Sequence, residues 1–437
     1  MFSLKLVALC LISCCCFLAA SGKLEERFAW KQLTFDWPSA EAEAEAKRTG
    51  HYIEENNLPL GLERWKNKLF VTVPRWKAGV AATLNYIDLS TVNGEKSPKL
   101  RPYPSWEANK LPIDVAPAQQ SASSGGRADA EKAESAHVQL QDNATVVSTF
   151  RIQADACDRL WVLDTGLADI LGSPKVITPN AILVFDLKTD QLLRRFPIPA
   201  DQLKEDTFMA NIVVDVEPDQ CDNAYAYIPD LGAYGVIVYS LQDNKSYRVK
   251  HNYFHFDPLH GDFNVGGVNF QWTDGVFGLA VGPKNADNSR DIYFHAFAST
   301  KEFKVSNRVL QNESYVNGGS SYFDFKIVGD RGMNGQSTAE AYDKETGAIF
   351  YTQVNKDAIA CWNIQRPYTP DNQGLIDSDS HTLVFPNDLK IDTNGELWVL
   401  SDRLPTYMYK QLDNTAVNYR ILTGKNRELI KGTPCEL

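Results

Sequence analysis

The sequence lacks the short motifs by which several common enzyme classes are recognised. It contains no glycine-rich phosphate-binding loop, no G-x-S-x-G nucleophile elbow and no H-E-x-x-H zinc motif. Each absence removes one common reaction class from consideration, although catalysis of another kind remains open.

The chain also lacks any long block of charge of one sign. Its formal net charge is −11, from 55 acidic and 44 basic residues. Nucleic acids and anionic membrane surfaces attract basic patches, so neither is expected as a partner. An acidic protein modestly favours cationic small molecules instead.

Long apolar runs are confined to the N-terminus. Residues 1–22 contain Lys5, an apolar run over 6–20 broken only by Ser13, and then small residues. This pattern predicts a cleaved secretory signal, because the run is too short for a membrane span. We therefore expect a secreted, extracellular protein without membrane insertion.

Cysteine is scarce after residue 22, and no C-x-x-C pair or close Cys/His cluster occurs there. The four cysteines are Cys157, Cys221, Cys361 and Cys435. An even number in an oxidising compartment predicts two disulfides, for which three pairings are possible. Sequential pairing would close loops of about 65 and 75 residues, each worth ~4 kcal/mol if chain entropy dominates. We expect no metal and no cofactor.

Three N-x-S/T sequons lie in polar, turn-like stretches. They are Asn143, Asn244 and Asn312. In a secreted chain these positions predict N-linked glycans.

Helical periodicity is nearly absent, whereas one strand pattern recurs. Residues 157–166 and 392–402 both place a polar turn before Leu-Trp-Val-Leu and a small or acidic residue after it. Six copies are marked by Phe70, Trp161, Tyr227, Tyr293, Tyr351 and Trp398. Recurrence of a strand unit at roughly 50–65 residues predicts an all-β, six-bladed β-propeller in a single domain.

We place the propeller at residues 61–437, after an N-terminal arm over residues 23–60. The arm includes an alanine- and glutamate-rich stretch at 41–47, which predicts a short helix or a solvated strap. Within the propeller, residues 107–139 are rich in Ala, Gln, Ser and Gly, and this composition predicts a flexible insertion between strands.

Several segments together resemble the insect yellow/major royal jelly protein family. They are residues 56–63, 70–80, 157–166, 274–280, 360–363 and 387–392. The resemblance extends over nearly the whole chain after the signal and implies a secreted six-bladed propeller with two disulfides. It further implies roles in cuticle and melanin pigmentation, or nutritive or signalling roles. Some relatives convert dopachrome, and salivary relatives of biting flies bind biogenic amines in the central channel.

Polar residues where the strand repeats end are the first candidates for ligand contacts. They are Asp164, Asp230, Ser401 and Asp402. A carboxylate at the channel could pair with the ammonium group of a catecholamine or indoleamine, and we favour Asp230 and Asp402 for this role. The alternative is that these side chains cap turns by accepting backbone N–H groups, which carries most weight for Asp164.

The resemblance to the amine-binding relatives adds a pocket wall formed by Asn387, Asp402 and Leu404. Where those relatives carry an amide and then an aromatic residue, this chain has Asp402 and Leu404. Phe277 and Tyr351 are predicted to offer an aromatic face to an amine or a ring. The competing interpretation makes both of them core residues.

A histidine-containing run is the remaining candidate for chemistry. His251, His255 and His260 have the spacing of a metal or acid–base cluster. Pro258 and the neighbouring aromatic residues favour an irregular loop with surface histidines instead.

Three functions are compatible with these features. The first is a secreted protein of pigmentation or cuticle physiology with a channel pocket for a small aromatic amine or catechol-derived ligand. The second is an enzyme that converts dopachrome by tautomerisation or decarboxylation, with catalytic residues that the sequence does not identify. The third is a structural or signalling extracellular protein without a small ligand.

Overall fold

A computed structural model describes residues 23–111 and 144–437 of the chain. Strands dominate these residues. In chain order they are β1 (Glu25–Trp30), β2 (Leu62–Trp65), β3 (Lys68–Thr72), β4 (Leu84–Asp88), β5 (Arg101–Pro102), β6 (Thr149–Ala154), β7 (Arg159–Asp164), β8 (Leu167–Ala168), β9 (Lys175–Val176), β10 (Ala181–Asp186), β11 (Gln191–Pro197), β12 (Val213–Asp215), β13 (Tyr225–Asp230), β14 (Gly235–Ser240), β15 (Lys245–Lys250), β16 (Asp262–Val265), β17 (Val268–Gln271), β18 (Val276–Lys284), β19 (Arg290–Ala296), β20 (Lys301–Ser306), β21 (Lys326–Asp330), β22 (Glu340–Asp343), β23 (Ala348–Gln353), β24 (Ala358–Asn363), β25 (Gln373–Ser378), β26 (Pro386–Ile391), β27 (Glu396–Ser401) and β28 (Tyr419–Lys425).

Helices are few and short in the described part of the chain. The α-helices are α1 (Ala40–Thr49), α2 (Asn307–Leu310), α3 (Glu313–Val316), α4 (Leu404–Tyr409) and α5 (Asn426–Leu429). Single 3₁₀ turns occupy Glu54–Asn56, Glu107–Asn109, Ala200–Gln202, Asn252–Phe254, Tyr322–Asp324, Val354–Lys356 and Pro370–Asn372.

Of these strands, 24 form six four-stranded antiparallel sheets, and the other four form the two-stranded sheets β8–β9 and β16–β17. Blades 1 to 5 are β2–β5, then β6, β7, β10 and β11, then β12–β15, β18–β21 and β22–β25, and blade 6 combines β26–β28 with β1. The first strands of the blades contact one another in a closed ring, from β2 through β6, β12, β18, β22 and β26 back to β2. This arrangement confirms the predicted six-bladed propeller. Hydrophobic clusters fill the spaces between neighbouring blades, such as the cluster that joins blades 3 and 4.

The recurring Leu-Trp-Val-Leu pattern has a local physical cause. Asp155 accepts a hydrogen bond from the indole Nε1 of Trp161 at 2.7 Å, and Asp392 accepts one from Trp398 at 3.1 Å. In each case the other carboxylate oxygen accepts backbone N–H groups of the intervening turn. An aspartate six residues before a tryptophan therefore fixes both the turn and the buried strand that follows it.

The segment expected as an N-terminal arm contributes a strand to the propeller. Strand β1 pairs antiparallel with β28, and Trp30 lies opposite Tyr419. The arm interpretation missed this pairing because β1 and its partner lie at opposite ends of the sequence. The alanine- and glutamate-rich stretch forms α1, which begins with Ser39 accepting a hydrogen bond from the Ala42 N–H group and ends at Gly50 in the left-handed conformation.

Both disulfides are present, in the sequential pairing. Cys157–Cys221 links the β6–β7 turn of blade 2 to the β12–β13 turn of blade 3. Cys361–Cys435 links β24 of blade 5 to the C-terminal segment. The cross-links therefore restrain neighbouring blades and the end of the chain.

The predicted secretory signal over 1–22 lies outside the described residues, as does most of the predicted insertion over 107–139. Within residues 23–111 and 144–437, no helix has the length and apolarity needed to cross a bilayer.

Replacing Trp30 tests the contribution of the closing strand. This side chain is buried, and its indole N–H donates to the Pro98 carbonyl at 2.9 Å. We expect Trp30→Ala to lower the free energy of unfolding by about 3–5 kcal/mol, because it leaves a large cavity where the ring closes. Urea unfolding followed by tryptophan fluorescence measures this change. The exposed neighbour Lys31→Ala is the control, and an equal loss in both variants would refute a closing role for Trp30.

Candidate functional site at the central channel

A cavity of about 290 Å³ lies at one end of the channel. Its lining is mainly apolar and aromatic. The lining residues are Leu60, Trp76, Phe150, Ile170, Phe208, Ala210, Leu231, Trp272, Asp274, Phe277, Phe297, Thr338, Phe385, Asn387, Leu404 and Met408. Aromatic rings contact one another around it, with Trp76 perpendicular to Phe150 at a centroid distance of 5.0 Å.

Backbone irregularities shape this cavity. Three innermost strands carry one extra residue near their start relative to the second strand of the blade, at Phe150–Arg151, at Phe277 and at Asn387. A β-bulge of this kind redirects a side chain away from the regular alternation of the strand. Each bulge contributes a residue that lines the cavity.

Asp274 is the one charged residue in the cavity lining. Burial raises the pKa of its carboxyl group to about 7, and no hydrogen bond or opposite charge from the described residues offsets this effect. The group therefore changes charge close to neutral pH. A carboxylate without a protein partner among aromatic rings is suited to an ammonium group, whose charge it would neutralise and whose carbon skeleton the rings would contact.

Arg151 lies buried beside the cavity. Its guanidinium stacks on the Phe277 ring at 4.0 Å and donates to the backbone carbonyls of Thr338 and Asn387. Its Nε lies 3.5 Å from an oxygen of Asp388. The guanidinium therefore joins the first strands of three blades and fixes the orientation of Phe277.

Asn387, Asp402 and Leu404 lie together, as the sequence predicted, but only Asn387 and Leu404 line the cavity. Asp402 is fully buried and accepts hydrogen bonds from the Asn387 amide at 2.6 Å and from the Leu404 N–H group at 3.0 Å. Burial raises the pKa of Asp402 well above its ordinary value. Asp402 therefore orients Asn387 and does not face a ligand.

Asp230, which the sequence favoured as the partner of an ammonium group, is not among the residues that line the cavity. Its oxygens accept hydrogen bonds from Thr207 and from the N–H groups of Phe208 and Ala233, and Arg248 lies at 2.8 Å. The carboxylate is thus already neutralised and fully bonded, and the sequence-based assignment to the channel is corrected. Asp230 lies at the end of a second strand, as the sequence predicted. Loop residues Thr207, Phe208 and Ala233 bond its carboxylate, which is therefore not available to a ligand in the channel.

Asp164 and Ser401 bond mainly to the segments that precede the first strands of their blades. Asp164 accepts hydrogen bonds from the N–H groups of Val147, Ser148 and Gly166, which is the capping role considered for it. Ser401 donates its hydroxyl to the Val384 carbonyl at 2.7 Å. Neither side chain lines the cavity.

The two predicted aromatic contacts separate in the structure. Phe277 lines the cavity, whereas Tyr351 packs with Tyr368 in a buried cluster and donates its hydroxyl to Gln373 at 3.0 Å. Tyr351 is therefore a core residue between blades, because its side chain on β23 of blade 5 packs in one cluster with Ala280 and Tyr293 of blade 4.

The three histidines of the predicted run are not brought together. His251 stacks on Phe325 at 4.0 Å, and His255 packs against Tyr234 at 4.6 Å. His260 lies 3.8 Å from Asp257 on the surface. Burial lowers the pKa of His251, so this residue is neutral near pH 7.

Two of the predicted glycan positions are described, and both are exposed. Asn244 lies in the turn between β14 and β15, and Asn312 begins α3 by accepting a hydrogen bond from the Tyr315 N–H group. Asn143 lies outside the described residues. Glycosylation of all three remains a prediction.

The family profile described as "Major royal jelly protein" matches residues 147–435. The chain belongs to the yellow/major royal jelly protein family. Protein yellow of Drosophila pseudoobscura pseudoobscura is 41% identical over 421 residues, which cover 96% of this chain and 69% of that protein. Protein yellow of Drosophila melanogaster is 40% identical over 421 residues, covering 96% and 72% of the two chains. The similarity to these yellow proteins therefore extends over nearly the whole of this chain.

Arg248 and Asp230 provide a test of their structural assignment. We expect Arg248→Met to lower the free energy of unfolding by about 3–5 kcal/mol, because it leaves the Asp230 carboxylate buried without its cation. Chemical denaturation measures the loss, and Asp230→Asn in the same chain should restore part of it. Asp230→Asn alone should leave ligand affinity unchanged, so a weakened affinity would return Asp230 to the site.

Proposed function

We propose that this yellow-family protein is secreted and binds a small aromatic amine or catechol-derived molecule in the channel cavity, in pigmentation or cuticle physiology. The observation that carries the proposal is the Asp274 carboxylate, which lies among aromatic side chains without a protein partner. The two disulfides support an oxidising, extracellular compartment.

The size and chemistry of the cavity support a ligand with one ring system. Ligand pockets for drug-sized molecules span about 300–1,000 Å³, and this cavity of about 290 Å³ is at the lower limit. The aromatic side chains would contact the faces of the ring. Asp274 would pair with the ammonium group, and the amide of Asn387, which also lines the cavity, would contact ring hydroxyls.

Calorimetric titration with dopamine, octopamine and serotonin tests the proposal. We expect one site per chain, and we expect Asp274→Asn to weaken binding by about 10- to 100-fold, since a charge-assisted hydrogen bond is lost. The matched control is Asp206→Asn, which removes an exposed carboxylate outside the cavity. Absence of binding heat at millimolar ligand would overturn the proposal and favour a structural or signalling role.

The pH dependence of binding provides a second, independent test. Asp274 has a raised pKa of about 7, so its charged form is lost as the pH falls through 7. Amine affinity should therefore fall between pH 8 and pH 6, whereas the ammonium group of the ligand stays protonated over this range. The Asp274→Asn variant should show a flat profile. An unchanged affinity in the parent protein would exclude Asp274 as the counter-ion.

A second candidate function is dopachrome conversion, and the pKa of Asp274 is the observation that favours it. A general base works best when its pKa lies near the working pH, and the Asp274 carboxyl meets this condition. It would remove the proton from the α-carbon that bears the carboxyl group, and protonation of a quinone oxygen would complete the tautomerisation. We expect the absorbance of dopachrome to decay faster with the protein than without it, and Asp274→Asn to abolish the difference. Decay at the uncatalysed rate in the parent protein would exclude this activity.

A further inference from the structure

A second group of chemistry-bearing side chains lies between blades 4 and 5, apart from the residues that line the channel cavity. His295 on β19, Glu302 on β20 and Glu340 on β22 bring one ligand atom each to within 4.8 Å of the others. Their side chains are at most 2% exposed. No step of the proposed channel function uses these three residues.

The imidazole is held with one nitrogen directed at both carboxylates. Nδ1 of His295 lies 3.2 Å from an oxygen of Glu302 and 3.4 Å from an oxygen of Glu340. The other nitrogen, Nε2, lies 3.1 Å from the Ser337 carbonyl and donates to it. A carbonyl contact of this kind is the usual means by which a metal-binding histidine is oriented. Nδ1 then faces the carboxylate oxygens at hydrogen-bonding distance, where either a proton or a metal ion would lie between them.

Gly278 makes room for this ring. It lies opposite His295 in the pairing of β18 with β19, and a Cβ atom at Gly278 would come within 2.3 Å of the imidazole. Any other residue at this position would displace the ring. The innermost strand of blade 4 is therefore adapted to the position of the imidazole.

The charges of the cluster do not balance when His295 is neutral. Arg331 donates to the Glu302 oxygen at 2.6 Å, and its other donors serve backbone carbonyls, including those of Gly335 and Ser299. One guanidinium and two carboxylates leave a net charge of −1 in a buried position. An uncompensated buried charge is costly, so the cluster requires a proton or a cation.

The remaining carboxylate oxygens discriminate between these two possibilities. Oε1 of Glu302 and Oε1 of Glu340 are buried and have no hydrogen-bond partner among the described residues. A proton on Nδ1 of His295 would form hydrogen bonds to Oε2 of Glu302 and Oε2 of Glu340. Both Oε1 atoms would then still lack a partner. A metal ion can be bound by both oxygens of a carboxylate and would satisfy them.

We propose that His295, Glu302 and Glu340 bind one divalent cation of the Zn²⁺ type. Zn²⁺ accepts imidazole nitrogen and carboxylate oxygen at about 2.0–2.2 Å, so ligand atoms that different residues contribute to one ion lie roughly 3–3.6 Å apart. The observed separations of 3.2 and 3.4 Å from Nδ1 agree with this spacing. The bound ion would join β19 and β20 of blade 4 to β22 of blade 5.

Metal content and thermal stability of the full secreted chain test the proposal. We expect elemental analysis to find about one equivalent of Zn²⁺ after dialysis against metal-free buffer. Removal by a chelator should lower Tm, and added Zn²⁺ should restore it by about 5 °C at a concentration 100-fold above its Kd. Mn²⁺ and Ca²⁺ added in parallel should restore less, because an imidazole ligand favours Zn²⁺.

Variants locate the ion. Glu340→Gln and His295→Gln should each lose the retained Zn²⁺ and the Tm response, whereas His260→Gln, which alters a surface histidine beside Asp257, should keep both. If His295→Gln does not fold, the chelation and restoration experiment on the parent protein decides. The proposal would be overturned if the parent protein retained no Zn²⁺ and its Tm did not change with chelator or added metal. The cluster would then hold a proton instead. Retention of Zn²⁺ by Glu340→Gln would also overturn it, because the ion would then lie elsewhere.

Discussion

The pairing of β1 with β28 is the constraint on which the rest of the structure depends. A ring of six blades has no covalent closure, and here the first described strand supplies the outer strand of the last blade. Closure in this way holds the six innermost strands around one channel. Because the cavity takes residues from the starts of strands in different blades, its shape exists only in the closed ring.

Buried acids divide into two groups by their partners. Asp164 and Asp230 are the last residues of second strands, and the N–H groups of neighbouring loops donate to their oxygens. Asp274 precedes an innermost strand and has no such donors. Folded proteins leave few buried polar groups without partners, so an unpartnered one is a site where a ligand is expected. This criterion is why we propose Asp274, which is only half-buried, and not the fully buried Asp230 as the carboxylate that contacts a ligand.

The sequence predicted the architecture well and the site only in part. The strand pattern recurs in sequence with an aromatic residue in each of its six copies, as at Trp161 and Trp398, so the blades could be counted without a structure. The cavity depends on β-bulges, which no repeat pattern reveals. Asp274 lies in a segment that resembles the family, and its place at the start of an innermost strand was the available signal. Only the fold shows that this carboxylate lacks a partner.

The His295 cluster was hidden from the sequence for a related reason. Glu340 is far from His295 along the chain, and the two meet only because blades 4 and 5 are neighbours in the ring. Strand β18 connects this cluster to the channel, since Phe277 lines the cavity and the adjacent Gly278 lies against the His295 imidazole. A cation that fixes His295 would therefore also fix the bulge that directs Phe277 into the cavity. If the proposed cation binds, the position of the Phe277 ring and the occupancy of the His295 cluster would be linked through β18.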